Sequence, residues 1–128
     1  MLSFRSRTSP YYSLAGDRLS VVDDIERCFE NGWSDGLPVV PPYSALTDAM
    51  CEALGWGPAE VIAKLEAHGL EVRGQQVAAT AVMAGCLPAY ARVLRPITEM
   101  LLAPSFNLQG VATSTGGAGI LVVVSGAI

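Results

Sequence analysis

Two side chains of this sequence could take part directly in a reaction: the thiol of Cys86 and the carboxylate of Asp35. Cys86 lies where one predicted helix stops and Pro88 begins the next. Backbone N–H groups at a helix N-terminus stabilise a thiolate, so Cys86 is predicted to act as a nucleophile or redox group. Asp35 lies in a tight Trp-Ser-Asp-Gly turn and is predicted to move protons. The alternatives are a buried, inert thiol and a carboxylate that only makes a turn.

A polar, glycine-rich loop with the sequence TSTGGAG covers residues 113–119. Successive backbone N–H groups in such a loop can form a concave nest that binds an anionic or carbonyl group. The predicted substrate-binding positions within the loop are Thr113, Ser114, Thr115, Gly116 and Gly117. The loop matches neither a dinucleotide-binding nor a nucleotide-phosphate motif, and a strand rather than a helix is predicted after it. An ordinary hairpin-type connection is the alternative.

The sequence predicts neither a metal site nor a bound cofactor. It contains one histidine, His68, and no pair of cysteines or histidines at ligand spacing. His68 precedes Gly69 and is interpreted as a favourable cation at the end of a helix. Since the glycine-rich loop matches no phosphate-binding motif, no cofactor is expected.

The composition indicates a folded protein of the cytoplasm. Apolar residues make up 51% of the chain and charged residues 16%, which excludes a disordered segment. With 12 acidic and 8 basic residues, the net charge of -4 argues against nucleic-acid binding. The three cysteines form no CxxC pair and no signal peptide precedes them, so reduced thiols are expected. Residues 100–128 carry no charge, but Pro104, Asn107 and several glycines interrupt them, so no membrane span is predicted.

The helices and strands predicted around these candidate site residues indicate an α/β fold, with α+β as the alternative. A loose arm over 1–16 precedes a single domain over 17–128, whose first two thirds are rich in helix. The prolines of 38–42 favour an extended segment. Apolar spacing and breaker residues predict helices at 20–30, 45–54, 58–67 and 77–84, and another from Pro88 with a kink at Pro96.

The last part of the sequence predicts strands that need a partner. Residues 108–113 are predicted to form a short strand and residues 119–125 a fully buried one. A buried strand needs neighbours on both edges, and no further element is predicted to cover this one. A second polypeptide, or a second copy of this chain, is therefore expected to complete the sheet.

Three blocks of the sequence resemble a known bacterial family: NGWSDGLPVVPP at 31–42, AVMAGCLPAY at 81–90 and FNLQGVATSTGGAGILVVVSGAI at 106–128. In their order and spacing over about residues 20–128, the blocks resemble the UGSC-type family of thiol- or selenol-oxidoreductase-like proteins. That family is related to selenoproteins named for a Sec-Gly-Ser-Cys motif. This chain lacks that redox motif and the segment that follows the last block in the family.

The resemblance implies that 31–42, 81–90 and 105–117 meet in one site. The matching positions are Asp35, Cys86, Asn107, Thr113, Ser114 and Thr115, which adds Asn107 to the substrate-binding positions without assigning its chemistry. It also implies that the part of the family that is missing here is a separate subunit.

The sequence as a whole predicts a subunit of a small-molecule-transforming enzyme. Its site would lie at a subunit junction, where Cys86 attacks or exchanges electrons and loop 113–119 binds the substrate. The alternative is a non-catalytic subunit that stabilises a hetero-oligomeric complex. A homodimer that pairs its last strands is compatible with either function.

Overall fold

The computed structural model describes residues 18–65, 69–113, 115–116 and 119–126. The chain is a helix-rich α/β protein with one two-stranded antiparallel sheet in this part. Its elements in chain order are α1 (Arg18–Glu30), α2 (Ser44–Leu54), β1 (Val61–Leu65), β2 (Leu70–Arg73), α3 (Gly74–Met83), α4 (Ala91–Leu102) and α5 (Leu108–Ala112), with 3₁₀ turns at Pro88–Tyr90 and Pro104–Phe106. The arm predicted over 1–16 lies outside the described residues.

Helix α2 lies at the centre of the core. Its buried positions are Thr47, Met50, Cys51 and Leu54, which recur every three or four residues and form one helix face. This face packs against α3 and α4. The helix ends at Gly55, whose left-handed φ of 68° favours glycine and stops the helix as the sequence predicts.

Helix α3 supplies small side chains that let α2 approach closely. Ala78 and Val82 are fully buried on it, and the helix confirms the one predicted over 77–84, although it begins three residues earlier. Its first residue, Gly74, donates its N–H to the Glu60 carbonyl at 3.0 Å. A Cβ at Gly74 would lie 2.4 Å from the carbonyl oxygen of Gly57, so glycine is required for this close approach.

The helix predicted over 58–67 is wrong where the structure describes it. Residues Val61–Leu65 form β1, which pairs with Leu70–Arg73 in a hairpin that has an irregular register near its start. The β-branched pair Val61 and Ile62 favours a strand, and local apolar spacing did not reveal the partner. His68 lies outside the described residues.

Helix α4 follows the predicted start at Pro88, although the first turn is 3₁₀ and the α-helix begins at Ala91. Pro96 lies inside it, as the sequence predicts. The Arg95 guanidinium ties this helix to the end of α2, because its Nη1 donates to the Leu54 carbonyl at 2.7 Å. The same guanidinium lies over the ring of Trp56, 5.3 Å from its centroid.

Both strands predicted for the last part of the chain differ from the structure. Residues Leu108–Ala112 form α5, a short helix that follows Asn107 in a left-handed conformation with φ 52°. The 119–124 segment has neither strand nor helix, and its side chains are exposed, with Leu121 at 85% and Val123 at 79%. In the part of the chain that the structure describes, the sheet contains only β1 and β2, so no neighbouring strand covers this run.

Candidate functional site

Cys86 lines a groove between α3 and α4. The residue follows Gly85, whose left-handed φ of 79° turns the chain after α3, and its N–H donates to the Ala81 carbonyl at 2.9 Å. The side chain is partly buried. The groove has a volume of about 350 Å³, and its walls are formed by Val72, Gln76, Val77, Thr80, Ala81, Ala84, Cys86, Leu94 and Thr98.

The walls of this groove are aliphatic or neutral, with no charged side chain among them. The two threonine hydroxyls donate to their own helices: Thr80 Oγ1 to the Gln76 carbonyl and Thr98 Oγ1 to the Leu94 carbonyl, both at 2.8 Å. The chain after Cys86 enters a 3₁₀ turn of three residues that leads directly into α4. This arrangement can hold a small, largely apolar molecule against a thiol.

Asp35 lies in an exposed turn outside the Cys86 groove. Its Oδ1 accepts the N–H of Leu37 at 3.3 Å, and the neighbouring Ser34 Oγ accepts the N–H of Gly36 at 3.4 Å. These are the bonds of a turn-forming side chain. The later part of the same segment does reach α3, because Val40 donates its N–H to the Met83 carbonyl at 3.1 Å. The structure thus brings 31–42 and 81–90 into contact without placing Asp35 in the groove.

The predicted substrate-binding loop follows α5. Thr113 bonds back to that helix, since its N–H and its Oγ1 both donate to the Gln109 carbonyl, at 3.0 and 2.8 Å. Asn107 lies at the other end of α5, with its side-chain amide close to Gly110. Thr115 and Gly116 are exposed, while Ser114 and Gly117 lie outside the described residues. The four described positions, Asn107, Thr113, Thr115 and Gly116, are not among the walls of the Cys86 groove.

A second cavity, which the sequence analysis did not identify, lies between α1 and the proline-rich segment. Its volume is about 200 Å³, and its walls are formed by Asp24, Arg27, Cys28, Trp33, Pro41, Pro42 and Tyr43. We call it the α1 pocket. Asp24 and Arg27 are three residues apart on one helix, which the sequence could have revealed. Tyr43 joins them from 19 residues further on, a contact that only tertiary docking creates.

The polar groups of the α1 pocket form a connected chain. Arg27 Nη1 contacts Asp24 Oδ1 at 3.1 Å, and the Tyr43 hydroxyl donates to the other carboxylate oxygen, Asp24 Oδ2. This hydrogen bond, together with burial, raises the pKa of Tyr43 to about 12. Burial, followed by the negative charge of Asp24, raises the pKa of the Cys28 thiol. Cys28 is therefore held in its neutral form and acts as part of the pocket wall.

In the part of the chain that the structure describes, no group of three histidine, cysteine or acidic side chains could hold a metal ion. No single helix there has the length and apolar character needed to cross a membrane. Gly74–Met83 and Pro88–Leu102, bent by 118° at their junction, meet that criterion only when taken together.

In comparisons with known proteins, no family model, curated protein or solved structure matches this chain. The resemblance to the UGSC-type family therefore stays a prediction that depends on the three sequence blocks.

Proposed function

We propose that this chain is a cytoplasmic subunit of a small-molecule-transforming enzyme that is assembled from more than one polypeptide. The observation that carries the proposal is the exposed run Ile-Leu-Val-Val-Val at 120–124. Burial of apolar surface contributes about 25 cal/mol per Å², so a run of this kind gains stability when another chain covers it. The β-branched side chains favour pairing with a strand of that chain.

The groove beside Cys86 supports the catalytic part of the proposal. Its volume of about 350 Å³ falls at the lower end of ligand pockets, which measure about 300 to 1,000 Å³. Cys86 is the one nucleophilic thiol among its walls, so we assign it the role of nucleophile or redox group. The resemblance to the UGSC-type family agrees with thiol chemistry, and a partner subunit would supply the proton-transfer groups.

One observation favours the second candidate function, a non-catalytic stabilising subunit. The groove walls carry no acid or base besides the thiol itself, and the predicted proton carrier, Asp35, lies in a separate turn. A subunit that kept the fold and lost its catalytic groups would have this arrangement.

Thiol alkylation separates the two functions. With iodoacetamide near neutral pH, we expect Cys86 to be modified before the other two cysteines, as read by peptide mass spectrometry. Cys28 and Cys51 are the internal controls, because both are buried and burial raises the pKa of each thiol. A Cys86→Ser variant should keep the fold and lose the fast-reacting site. If all three cysteines react together, and only on unfolding, the catalytic role is contradicted and the stabilising subunit is favoured.

A further inference from the structure

The α1 pocket and the Cys86 groove share no residue, so the pocket is a separate candidate site. Its walls combine apolar surface with one pre-positioned cation. Trp33 is 57% exposed, and Pro41 and the buried Cys28 extend the apolar wall. Pockets of this kind recognise ligands by apolar contact with a few placed polar groups.

The carboxylate of Asp24 is already engaged by two donors. One of its oxygens accepts from Arg27 and the other from the Tyr43 hydroxyl. The guanidinium carries five N–H donors and its side chain is 67% exposed, so it can donate to a ligand while it keeps its contact with Asp24. The polar contacts that the pocket offers a ligand are therefore mainly those of a cationic donor.

From this arrangement we infer that the α1 pocket binds a small carboxylate with an aryl or short apolar body. The carboxylate pairs with the Arg27 guanidinium, whose planar fork matches two carboxylate oxygens. The body of the ligand lies against Trp33 and Pro41. The volume of about 200 Å³ is below that of pockets for drug-sized ligands, about 300 to 1,000 Å³, which restricts the ligand to a small one.

Asp24 and Tyr43 act as positioning residues for this site. The Asp24 carboxylate fixes the guanidinium on α1, and the Tyr43 hydroxyl fixes the carboxylate from the opposite wall. Binding of the ligand thus depends on α1 being docked on the proline-rich segment.

The test is a titration of the ¹⁵N-labelled full chain with benzoate, followed by amide and indole resonances. We expect saturable shifts of the Trp33 indole and the Cys28 amide, while the indole of the buried Trp56 stays unchanged and acts as an internal control. Benzamide, which has the same ring and no charge, should bind at least about tenfold more weakly, because hydrogen bonds to charged groups are the stronger ones.

Two variants and a matched control complete the test. Arg27→Gln should weaken benzoate binding about tenfold or more, whereas Arg92→Gln, which removes an exposed arginine outside the pocket, should leave it unchanged. Trp33→Leu should also weaken benzoate binding. Because Trp33 lies outside α1, this variant tests the pocket even if Arg27→Gln disturbs the helix. Absence of a saturable response, equal binding of benzamide, or equal losses in the Arg27 and Arg92 variants would each overturn the inference.

Discussion

At the scale of single residues, two polar contacts join segments that are distant in the sequence. Tyr43 donates to Asp24 from the far wall of the α1 pocket, and Arg95 on α4 donates to the carbonyl of Leu54 at the end of α2. Both contacts use a donor from one element to fix a group on another. Polar side chains placed in this way specify how neighbouring elements dock.

The contact between Tyr43 and Asp24 predicts how stability depends on pH. The pKa of Tyr43 is about 12 in the folded protein and 10.0 as its ordinary value, so the folded state holds this proton more tightly than the unfolded state. The stabilisation is complete below pH 10 and is lost as the pH rises through about 12. Tyr43→Phe has no hydroxyl and therefore lacks this pH-dependent stabilisation. The difference in unfolding free energy between wild type and variant should therefore shrink as the pH rises from 10 to about 12.

Urea unfolding at a series of pH values measures this difference. Tyr90→Phe is the matched control, because it removes the hydroxyl of an exposed tyrosine. A difference between wild type and Tyr43→Phe that stays constant from pH 9 to pH 12 would show that the hydroxyl does not donate to Asp24 in solution.

At the scale of elements, the hairpin and α3 are held together by close backbone contact. Gly74 follows the last residue of β2 and begins α3. It donates its N–H to the Glu60 carbonyl, and its Cα lies close to the Gly57 carbonyl. The small side chains of α3 then fit against α2, where Met50 and Leu54 are fully buried. These contacts position the Cys86 groove, because α3 supplies four of its nine wall residues.

The close contact at Gly74 predicts a large effect for a small substitution. In Gly74→Ala the added methyl group would lie 2.4 Å from the Gly57 carbonyl oxygen, a backbone atom that cannot rotate away. We expect a loss of about 1–3 kcal/mol in unfolding free energy, the usual cost of an overpacked core. Gly57→Ala is the control, because its nearest contact would be an ordinary 3.6 Å, and we expect a change of about 0.5 kcal/mol or less. Equal losses in urea unfolding would contradict the close approach.

The sequence predicted those elements whose boundaries depend on local chemistry. Gly55 ends α2 and Gly32 follows α1, since both glycines adopt the left-handed conformation that stops a helix. The hairpin was missed because the partner of Val61 is Arg73, and local periodicity does not report a pairing of this kind. Asn107 adopts a positive φ immediately before α5, where a strand was predicted, and its substrate-binding role stays a prediction.

The candidate site was predicted in part. The position of Cys86 between two helices followed from Gly85 and Pro88, and the structure agrees. The separation of Asp35 from the Cys86 groove could not be predicted, because it depends on how the proline-rich segment packs. The α1 pocket required the contact of Tyr43 with α1, which has no local pattern in the sequence.

At the scale of the whole molecule, two groups of apolar residues in the described chain differ in exposure, those buried in the core and those exposed in the 120–124 run. The core of α2, α3 and α4 buries its apolar residues. The 120–124 run exposes its apolar residues, and its three valines line a groove together with Val93, Ile97 and Met100 of α4. An apolar face of this kind is typical of an interaction surface. We therefore expect this chain to associate with another chain through the 120–124 run.

The most direct test of that claim is the mass of the chain in solution, measured by sedimentation equilibrium over a range of concentrations. Without a partner to cover the exposed run, the wild-type chain should self-associate, whereas the double variant Leu121→Asp/Val123→Asp should sediment as a monomer with unchanged helix content. The matched control Val22→Asp/Leu37→Asp, which alters two other exposed apolar residues, should associate like the wild type. A wild-type chain that stays monomeric throughout, or equal behaviour of the two double variants, would contradict the account.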